Sequence, residues 1–162
     1  MYNLTPSSLE SFWSRVDKTD SCWNWTGAKV SNTEYGEIWL PGQHGKVARA
    51  HRVSYSLVHG DIPKGAHIDH ICHNPACVNP DHLRLTTAKQ NGENRGGLNK
   101  NNTTGVRGVI WRKDRQSFSA QWKHNRVNRT KGGFRTLEEA ESYVIQMRND
   151  AFTHNDLDRI PR

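Results

Sequence analysis

Cysteine and histidine residues recur at short spacing in the middle of this 162-residue chain. Cys72 and Cys77 are separated by four residues that include a proline, and His82 follows five residues later. Thiolate sulfur and imidazole nitrogen at this spacing suit a tetrahedral Zn²⁺ ion, which needs four protein ligands when the site is structural. The only other cysteine, Cys22, is the predicted fourth ligand.

The fourth zinc ligand has alternatives in the sequence. If Cys22 is only a small buried side chain, His51 or His73 would complete the site. A site that includes Cys22 would tie the N-terminal segment to the central loop. Such a link matters because only 33% of the residues are hydrophobic, which leaves a thin core for holding long loops. Three cysteines also cannot form a complete disulfide framework, which argues against a small secreted domain.

A second group of residues offers oxygen ligands and a base. The carboxylate of Asp69 and the amide of Asn91 suit Mg²⁺ or Mn²⁺, hard cations that keep several waters and complete their shell with phosphate. His70 follows Asp69 directly, and a neutral imidazole can take a proton from water that attacks a phosphodiester. Because neighbours in a strand point to opposite sides, we expect a twist or bulge to present both, or the carboxylate to reach in from the edge.

The spacing of these residues resembles that of a known enzyme family. His70, His82 and Asn91 are spaced as in the HNH (ββα-metal) nucleases, and Cys72, Cys77 and His82 resemble the His-Cys box branch of homing endonucleases. The resemblance implies that a β-hairpin presents His70 as the general base and that the following helix supplies Asn91 as a metal ligand. It also implies that the cysteines and His82 bind structural zinc.

The resemblance extends over roughly residues 20 to 97. Residues 50–55 and 60–63 are similar to the segment that precedes the catalytic hairpin in phage HNH proteins. Residues 22–27, together with Tyr35-Gly36, are similar to the opening hairpin of those proteins.

The chain departs from the family pattern in two places and leaves one role open. The middle residue of the HNH triplet is His82 instead of the usual asparagine, so bracing of the loop falls to Asn79 unless that residue only caps a turn. Asp69 is typical of HNH enzymes with two protein metal ligands, but not of every His-Cys box enzyme. The family places a basic residue near the scissile phosphate, and both Arg49 and Arg52 are candidates.

The function implied by the resemblance is metal-dependent hydrolysis of DNA phosphodiester bonds, which leaves 5′-phosphate and 3′-hydroxyl ends. A phage or intron homing endonuclease is the leading interpretation. One alternative is a restriction or defence nuclease with a short symmetric target. The other is a zinc-stabilised regulator that binds DNA without cutting it.

The distribution of charge predicts double-stranded DNA as the partner. The net charge is +7, with an isoelectric point of about 9.6. Between Arg95 and Arg135 there are eleven lysines and arginines against a single acid, Asp114, whereas the rest of the chain has 12 basic and 15 acidic residues. The C-terminal third should therefore supply most of the DNA affinity that comes from counterion release.

This basic region has the pattern of a small separate domain. Residues 106–112, 118–123 and 129–134 read as three strands. A capping box at Thr136 and Glu139 then predicts a helix. The apolar residues of that helix fall on one face: Leu137, Ala140, Val144, Met147 and Ala151.

Three strands followed by one helix resemble the AP2-type DNA-binding domain, which also occurs appended to phage HNH endonucleases. In that family the sheet enters the major groove. The resemblance makes six residues candidate DNA contacts: Arg107, Arg112, Gln121, Lys123, Arg129 and Lys131. Ile110 stands where many AP2 domains have a contacting arginine, so the base preference is expected to differ.

The predicted fold class is α+β, with a zinc-stapled ββα-metal nuclease core and a small AP2-like sheet with one helix. The nuclease domain is expected over residues 1–97, a basic linker over 98–104 and the DNA-binding domain over 105–162. Within the first domain, helices are predicted at residues 5–17 and 51–59 and from about Thr87.

Composition predicts a cytoplasmic protein without a membrane segment. No stretch approaches the roughly 18 apolar residues of a membrane span, and the mean hydropathy is −0.89. The polar N-terminus does not resemble a signal peptide, and zinc-bound thiols suit a reducing compartment. Monomer and homodimer remain open, and so does the choice between nicking and double-strand cutting.

Overall fold

In the computed structural model, residues 2, 4–40 and 46–160 are described, and the chain divides into units Met1–Asn91 and Gly92–Arg162. The first unit contains helices Pro6–Trp13 (α1) and Ala50–His59 (α2) and begins helix Ala88–Glu93 (α3). Its antiparallel strand pairs are Val16–Lys18 (β1) with Trp23–Trp25 (β2), Glu37–Leu40 (β3) with Lys46–Arg49 (β4), and His67–His70 (β5) with Leu83–Thr86 (β6). Residues 41–45, between β3 and β4, lie outside the described part of the chain.

The first helix is shorter than predicted. It starts as expected, because the side chain of Thr5 accepts a hydrogen bond from the backbone of Ser8 and Pro6 opens the first turn. It ends at Trp13 instead of residue 17, because Val16 already pairs with Trp25 in the β1–β2 ribbon. Val16 has the spacing of a helical residue, but its pairing with Trp25 places it in a strand.

The core of the first unit forms around the indole of Trp25. Its buried members are Phe12, Trp25, Ile38, Leu40, Ala50, Val53 and Val78. The indole N–H of Trp25 donates to the carbonyl of Ala28 at 2.9 Å. A Cβ atom at Gly36 would lie only 2.4 Å from the indole, so this position admits glycine alone. Close packing at this point holds β2, and with it the neighbouring Cys22.

The helix predicted near Thr87 begins with a reciprocal cap. The backbone N–H of Thr87 donates to the side-chain oxygen of Gln90 at 2.8 Å, and the backbone N–H of Gln90 donates to the hydroxyl of Thr87 at 3.2 Å. These two bonds form a capping box, and the predicted start of this helix is confirmed. The cap places Asn91 in the first turns of α3, directly after the β5–β6 hairpin.

The second unit is a three-stranded antiparallel sheet with a helix packed on one face. The strands are Val109–Arg112 (β7), Ser117–His124 (β8) and Val127–Phe134 (β9), in the order β7-β8-β9. Helices Leu137–Ala151 (α4) and Asp156–Arg159 (α5) follow. The predicted capping box of Thr136 and Glu139 is present, and a core of Val109, Ala120, Ala140 and Val144 joins the sheet to α4.

The division between the units lies earlier in the chain than the predicted domain end at residue 97. Glu93 and Asn94 are buried within the second unit. The side chain of Glu93 accepts a hydrogen bond from the backbone of Thr153 at 3.0 Å, and Asn94 accepts one from Asp156 at 3.2 Å. These two residues close the second unit against its C-terminal segment.

The segment predicted as a flexible linker, residues 98–104, contains ordered turns in the structure. The side chain of Asn102 donates to the carbonyl of Val106 at 2.8 Å and accepts from the backbone of Gly105 at 2.8 Å. The hydroxyl of Thr104 donates to the carbonyl of Val109 at 2.9 Å. The prediction of a flexible linker missed these side-chain bonds, which fix the entry to β7.

None of the helices in the described part of the chain has both the length and the apolar character that crossing a bilayer requires.

Candidate metal centre and active site

Four soft ligand atoms converge in the first unit. The ligand atoms of Cys22, Cys72, Cys77 and His82 all lie within 4.8 Å of one another. The sulfurs of Cys22 and Cys77 each lie 3.7 Å from Nδ1 of His82. Tetrahedral zinc with bonds of roughly 2.3 Å to sulfur and 2.0 Å to nitrogen separates these atoms by about 3.6 Å. The donor set and its spacing therefore fit zinc, which this cluster could bind.

Backbone pairing brings Cys22 to the central loop. The N–H of Trp25 donates to the carbonyl of Ala76 at 2.9 Å, and the N–H of Val78 donates to the carbonyl of Trp23 at 2.7 Å. These two bonds attach the loop to β2, the strand that directly follows Cys22. The distance in sequence between Cys22 and its partners is thus closed by a local ladder of main-chain bonds.

Asn79 performs both of the tasks considered for it. Its side-chain amide donates to the carbonyl of Ser21 at 2.9 Å, which braces the loop against the segment that carries Cys22. Its side-chain oxygen accepts from the backbone of Asp81 at 3.1 Å and caps the short 3₁₀ turn Pro80–His82. The cap presents the imidazole of His82 to the cysteines.

The thiols of the cluster perturb one another. A hydrogen bond between the thiols of Cys72 and Cys77, together with burial, raises the pKa of Cys72. The same hydrogen bond lowers the pKa of Cys77. Opposite shifts arise when one thiol donates to the sulfur of the other. Zinc would replace the shared proton, because thiolate is the form that binds the metal.

His70 is held in one tautomer by the same loop. The imidazole is buried, and its Nε2 lies 3.0 Å from the carbonyl oxygen of Cys77. Because a carbonyl can only accept, Nε2 carries the proton and Nδ1 is the basic nitrogen of the neutral ring. Burial lowers the pKa of His70, while the bond to Cys77 and the charge of Asp69 act in the opposite direction. The ring is therefore suited to accept a proton at Nδ1.

Asp69 is buried and paired with a residue that sequence reasoning missed. Two guanidinium nitrogens of Arg84 donate to the Oδ2 atom of Asp69, at 2.9 and 3.0 Å. Asp69 stands opposite Arg84 and His70 stands opposite Leu83 in the β5–β6 register, which runs without a bulge. The register therefore contains no bulge at these positions, and the two side chains leave from successive positions of the strand.

The oxygen ligands predicted for Mg²⁺ or Mn²⁺ occupy the hairpin and the helix of the ββα arrangement. Asp69 lies at the end of β5. Asn91 is half-buried in α3, and its backbone N–H donates to Thr87 at 3.0 Å. Carboxylate and amide oxygens fit these hard cations by their chemistry.

Both arginines proposed for the scissile phosphate have partners within the first unit. Arg49 precedes α2 and lies 3.6 Å from the carboxylate of Glu37. Arg52 is half-buried and donates to the carbonyl of Ala66 at 3.3 Å. The structure does not choose between them.

A second buried imidazole lies against His70. The ring centroids of His51 and His70 are 4.8 Å apart, and Tyr35 lies 5.4 Å from His51 and 5.8 Å from His70. Burial lowers the pKa of His51 to about 3, and the positive charges of neighbouring basic groups act in the same direction. Sequence reasoning considered His51 only as an alternative zinc ligand, whereas neither it nor His73 belongs to the zinc cluster.

The β-sheet register assigns the candidate DNA contacts to different faces. Ala120 and Trp122 pack toward α4. Their partners in β9 are Lys131 and Arg129, so the side chains of these two residues point to the same face of the sheet as α4. Three of the predicted contacts lie on the face away from α4: Arg112, Gln121 and Lys123.

Arg107 is engaged inside the second unit. Its guanidinium donates to the carbonyl of Glu93 at 3.1 Å and to that of Arg95. Burial lowers the pKa of Arg107, with a further contribution from the charge of Arg148. The carbonyl of Arg107 accepts from Arg148, which also forms a buried ion pair with Asp158 at 2.7 Å. These contacts indicate that Arg107 stabilises the second unit.

A basic cleft lies beside the bulge of β9. Its volume is about 640 Å³, and its lining contains three cations and no carboxylate: Arg115, Gln116, Ser117, Thr130, Lys131, Gly132, Gly133 and Arg135. The bulge arises because Ser119 pairs with Gly132 and Phe118 with Phe134, which leaves Gly133 as an extra residue with φ of 89°. Glycine adopts this conformation without strain and leaves backbone accessible in the cleft.

Among known proteins, HNH endonucleases have a family model that matches residues 48–93 of this chain, a range that contains the β5–β6 hairpin and α3. The matched range includes Asp69, His70 and Asn91 together with the zinc ligands except Cys22.

Three phage proteins are similar to part of the chain. Protein 2.8 of Escherichia phage T7 is 41% identical over 83 residues, which are 51% of this chain and 55% of that protein. Protein 7.7 of the same phage is 40% identical over 74 residues, 46% of this chain and 54% of the relative. Protein 3.8 is 40% identical over 73 residues, 45% of this chain and 60% of the relative. The chain thus spans a little over half the length of these relatives, and no solved structure matches it.

The cluster predicts one zinc ion per chain and a specific dependence on Cys22. Substitution Cys22→Ser should lower zinc affinity at least about tenfold, because it replaces a thiolate by a weak hydroxyl ligand. Metal content after dialysis against a graded zinc chelator measures this. Substitution His73→Asn is the matched control, since Asn tolerates the positive φ of 56° at that position. Full zinc affinity in Cys22→Ser together with loss in His73→Asn would contradict the assignment.

Proposed function

We propose that this chain is a metal-dependent HNH endonuclease that hydrolyses phosphodiester bonds of double-stranded DNA. The observation that carries the proposal is the buried imidazole of His70, whose tautomer is set by the carbonyl of Cys77. A base presented in this way, on a hairpin followed by a helix with Asn91, lies within the residues that match HNH endonucleases.

His70 acts as the general base of the proposed reaction. Nδ1 takes a proton from the water that attacks the phosphorus atom, while Nε2 keeps its proton and its bond to Cys77. The attack breaks the bond to the 3′ oxygen, which leaves as a 3′-hydroxyl after protonation, and the phosphate remains on the 5′ end. The hydrogen bond to Cys77 keeps the ring from turning during this transfer, which preserves the alignment with the water.

Asp69 and Asn91 would hold the divalent cation, Mg²⁺ or Mn²⁺. When bound, the cation would offset negative charge on the phosphate and on the leaving oxygen. Arg84 pairs with the carboxylate of Asp69 and orients it before DNA arrives, since a buried carboxylate without a partner would be costly. Either Arg49 or Arg52 supplies a positive charge near the scissile phosphate.

The Cys₃His cluster serves as a structural zinc site in this proposal. Cys22 fixes the loop to the N-terminal ribbon, and Cys77 is both a zinc ligand and the residue whose carbonyl orients His70. Zinc therefore acts on the chemistry only through the shape of the loop.

The second unit supplies DNA affinity in this proposal. Its support is the concentration of eleven basic residues between Arg95 and Arg135, together with the basic cleft beside the bulge. The arrangement of three strands and one helix is also that expected for an AP2-like domain. Arg112, Gln121 and Lys123 share the sheet face away from α4 and are the proposed base or phosphate contacts. Lys131 contributes at the cleft, and Arg129 contributes from the edge strand.

The biological setting proposed for the enzyme is a phage, because the similar curated proteins come from phage T7. A homing endonuclease that cuts DNA in the host cytoplasm remains the leading interpretation. Action as a monomer on a long asymmetric site supports homing, whereas a dimer that cuts a palindrome supports restriction or defence.

The base assigned to His70 is tested with supercoiled plasmid or phage DNA and Mg²⁺. Wild-type protein should yield nicked or linear DNA, and His70→Ala should lower the rate about 10² to 10⁴-fold while DNA binding persists, because general-base catalysis is lost. Substitution His67→Ala, at an exposed position of the same strand, is the control. Equal cleavage by wild type and His70→Ala would refute the assignment. Binding without cleavage by the wild type on every DNA tested would favour the non-catalytic regulator.

The DNA-binding role of the cleft is tested by its salt dependence. The double variant Lys131→Gln/Arg135→Gln should lower the slope of log affinity against log salt by about 2, since each lost phosphate contact removes about one released counterion. The matched control is Lys100→Gln/Arg126→Gln, which removes the same charge from exposed positions outside the cleft. Fluorescence anisotropy with a labelled duplex measures both. Equal slopes for the two double variants would show that the cleft binds no phosphate.

A further inference from the structure

His51 occupies the second position of α2 and is almost fully enclosed, with 6% of its surface exposed. Its ring packs edge-on against His70, with an angle of 60° between the ring planes. The Nδ1 atom is buried and has no hydrogen-bond partner among the described residues. A buried polar atom without a partner is destabilising, so a phenylalanine of similar shape would suit the free protein better.

The surroundings of His51 do not explain this nitrogen. The two neighbouring arginines bond elsewhere: Arg49, which precedes α2, to Glu37, and Arg52 to Ala66. Tyr35, the third ring of the group, is 39% exposed and covers the two histidines from the side where solvent begins. Ring packing alone needs no nitrogen, and the zinc cluster does not include His51. The Nδ1 atom of His51, next to the proposed base, is thus a polar atom to which no contact among the described residues assigns a role.

We propose that His51 positions the hydrolytic complex: its ring packs against one side of the His70 ring, and its Nδ1 bonds an oxygen atom of the DNA-bound complex. The inference rests on the proposed nuclease function. The oxygen is that of the attacking water or of the phosphodiester, and either can share a hydrogen bond with the imidazole. The carbonyl of Cys77 orients the imidazole of His70 through its hydrogen bond, and the ring of His51 supports the same orientation by packing against it.

Two substitutions separate the ring from the nitrogen. His51→Phe keeps an aromatic ring beside His70 and removes Nδ1, whereas His51→Asn places an amide nitrogen near the position of Nδ1 and removes the ring. We expect His51→Phe to lower the single-turnover rate at saturating DNA about tenfold, the effect of one lost hydrogen bond. His51→Asn should recover at least part of that rate. His59→Phe, on the same helix but away from Tyr35 and His70, is the matched control.

DNA affinity distinguishes the two possible sources of the oxygen. If Nδ1 bonds a phosphodiester oxygen, His51→Phe also weakens DNA affinity, measured with Ca²⁺ in place of Mg²⁺. If it bonds the water, affinity is unchanged and only the rate falls. Zinc content should match that of the wild type in both variants. The thermal midpoint of His51→Phe should be no lower than that of the wild type, because this variant keeps the packing volume and removes a buried polar atom without a partner.

Three results would overturn the inference. The first is cleavage by His51→Phe at the wild-type rate, which would leave the nuclease assignment intact. The second is a failure of His51→Asn to recover any activity lost in His51→Phe. The third is independent of cleavage: unchanged ¹⁵N resonances of the His70 ring in His51→Phe would show that His51 does not position it. Failure of the wild type to cut any DNA would instead contradict the proposed function.

Discussion

The hydrogen bond between the imidazole of His70 and the carbonyl of Cys77 is the contact on which the site depends. Cys77 contributes its sulfur to the soft-ligand cluster and its carbonyl to the orientation of the proposed base. Cys77 thus links the Cys/His cluster to the proposed base, His70. The loop that carries Cys77 is held by the main-chain ladder to β2 and by Asn79, and in the proposed function also by zinc.

Charge is balanced locally around this contact. The buried carboxylate of Asp69 is matched by Arg84 from the neighbouring strand. His51 and His70 are both buried, and burial lowers the pKa of each, so two neutral imidazoles lie together without repulsion. The basic residues of the chain are concentrated instead in the second unit. In the proposed function, this separation assigns catalysis and DNA affinity to different parts of the sequence.

Features that arise from local spacing could be predicted from the sequence. The caps at Thr87 and Thr136 follow from residues three positions apart, and the grouping of Cys22 with the central loop followed from the small number of cysteines. Contacts that depend on register could not be predicted in this way. Arg84 faces Asp69 only because β5 and β6 pair as they do, and the sides of Arg129 and Lys131 follow from the β8–β9 register. His51 meets His70 through tertiary packing, which leaves no signal in sequence spacing.

The most direct test of the account is the tautomer of His70, read from ¹⁵N chemical shifts of its ring in zinc-loaded and zinc-free protein. With zinc bound, Nε2 should carry the proton and Nδ1 should show the shift of a bare imidazole nitrogen. Removal of zinc should release the Cys77 carbonyl and produce a mixture of tautomers. A proton on Nδ1 in the zinc-loaded protein, or the same single tautomer without zinc, would contradict the account.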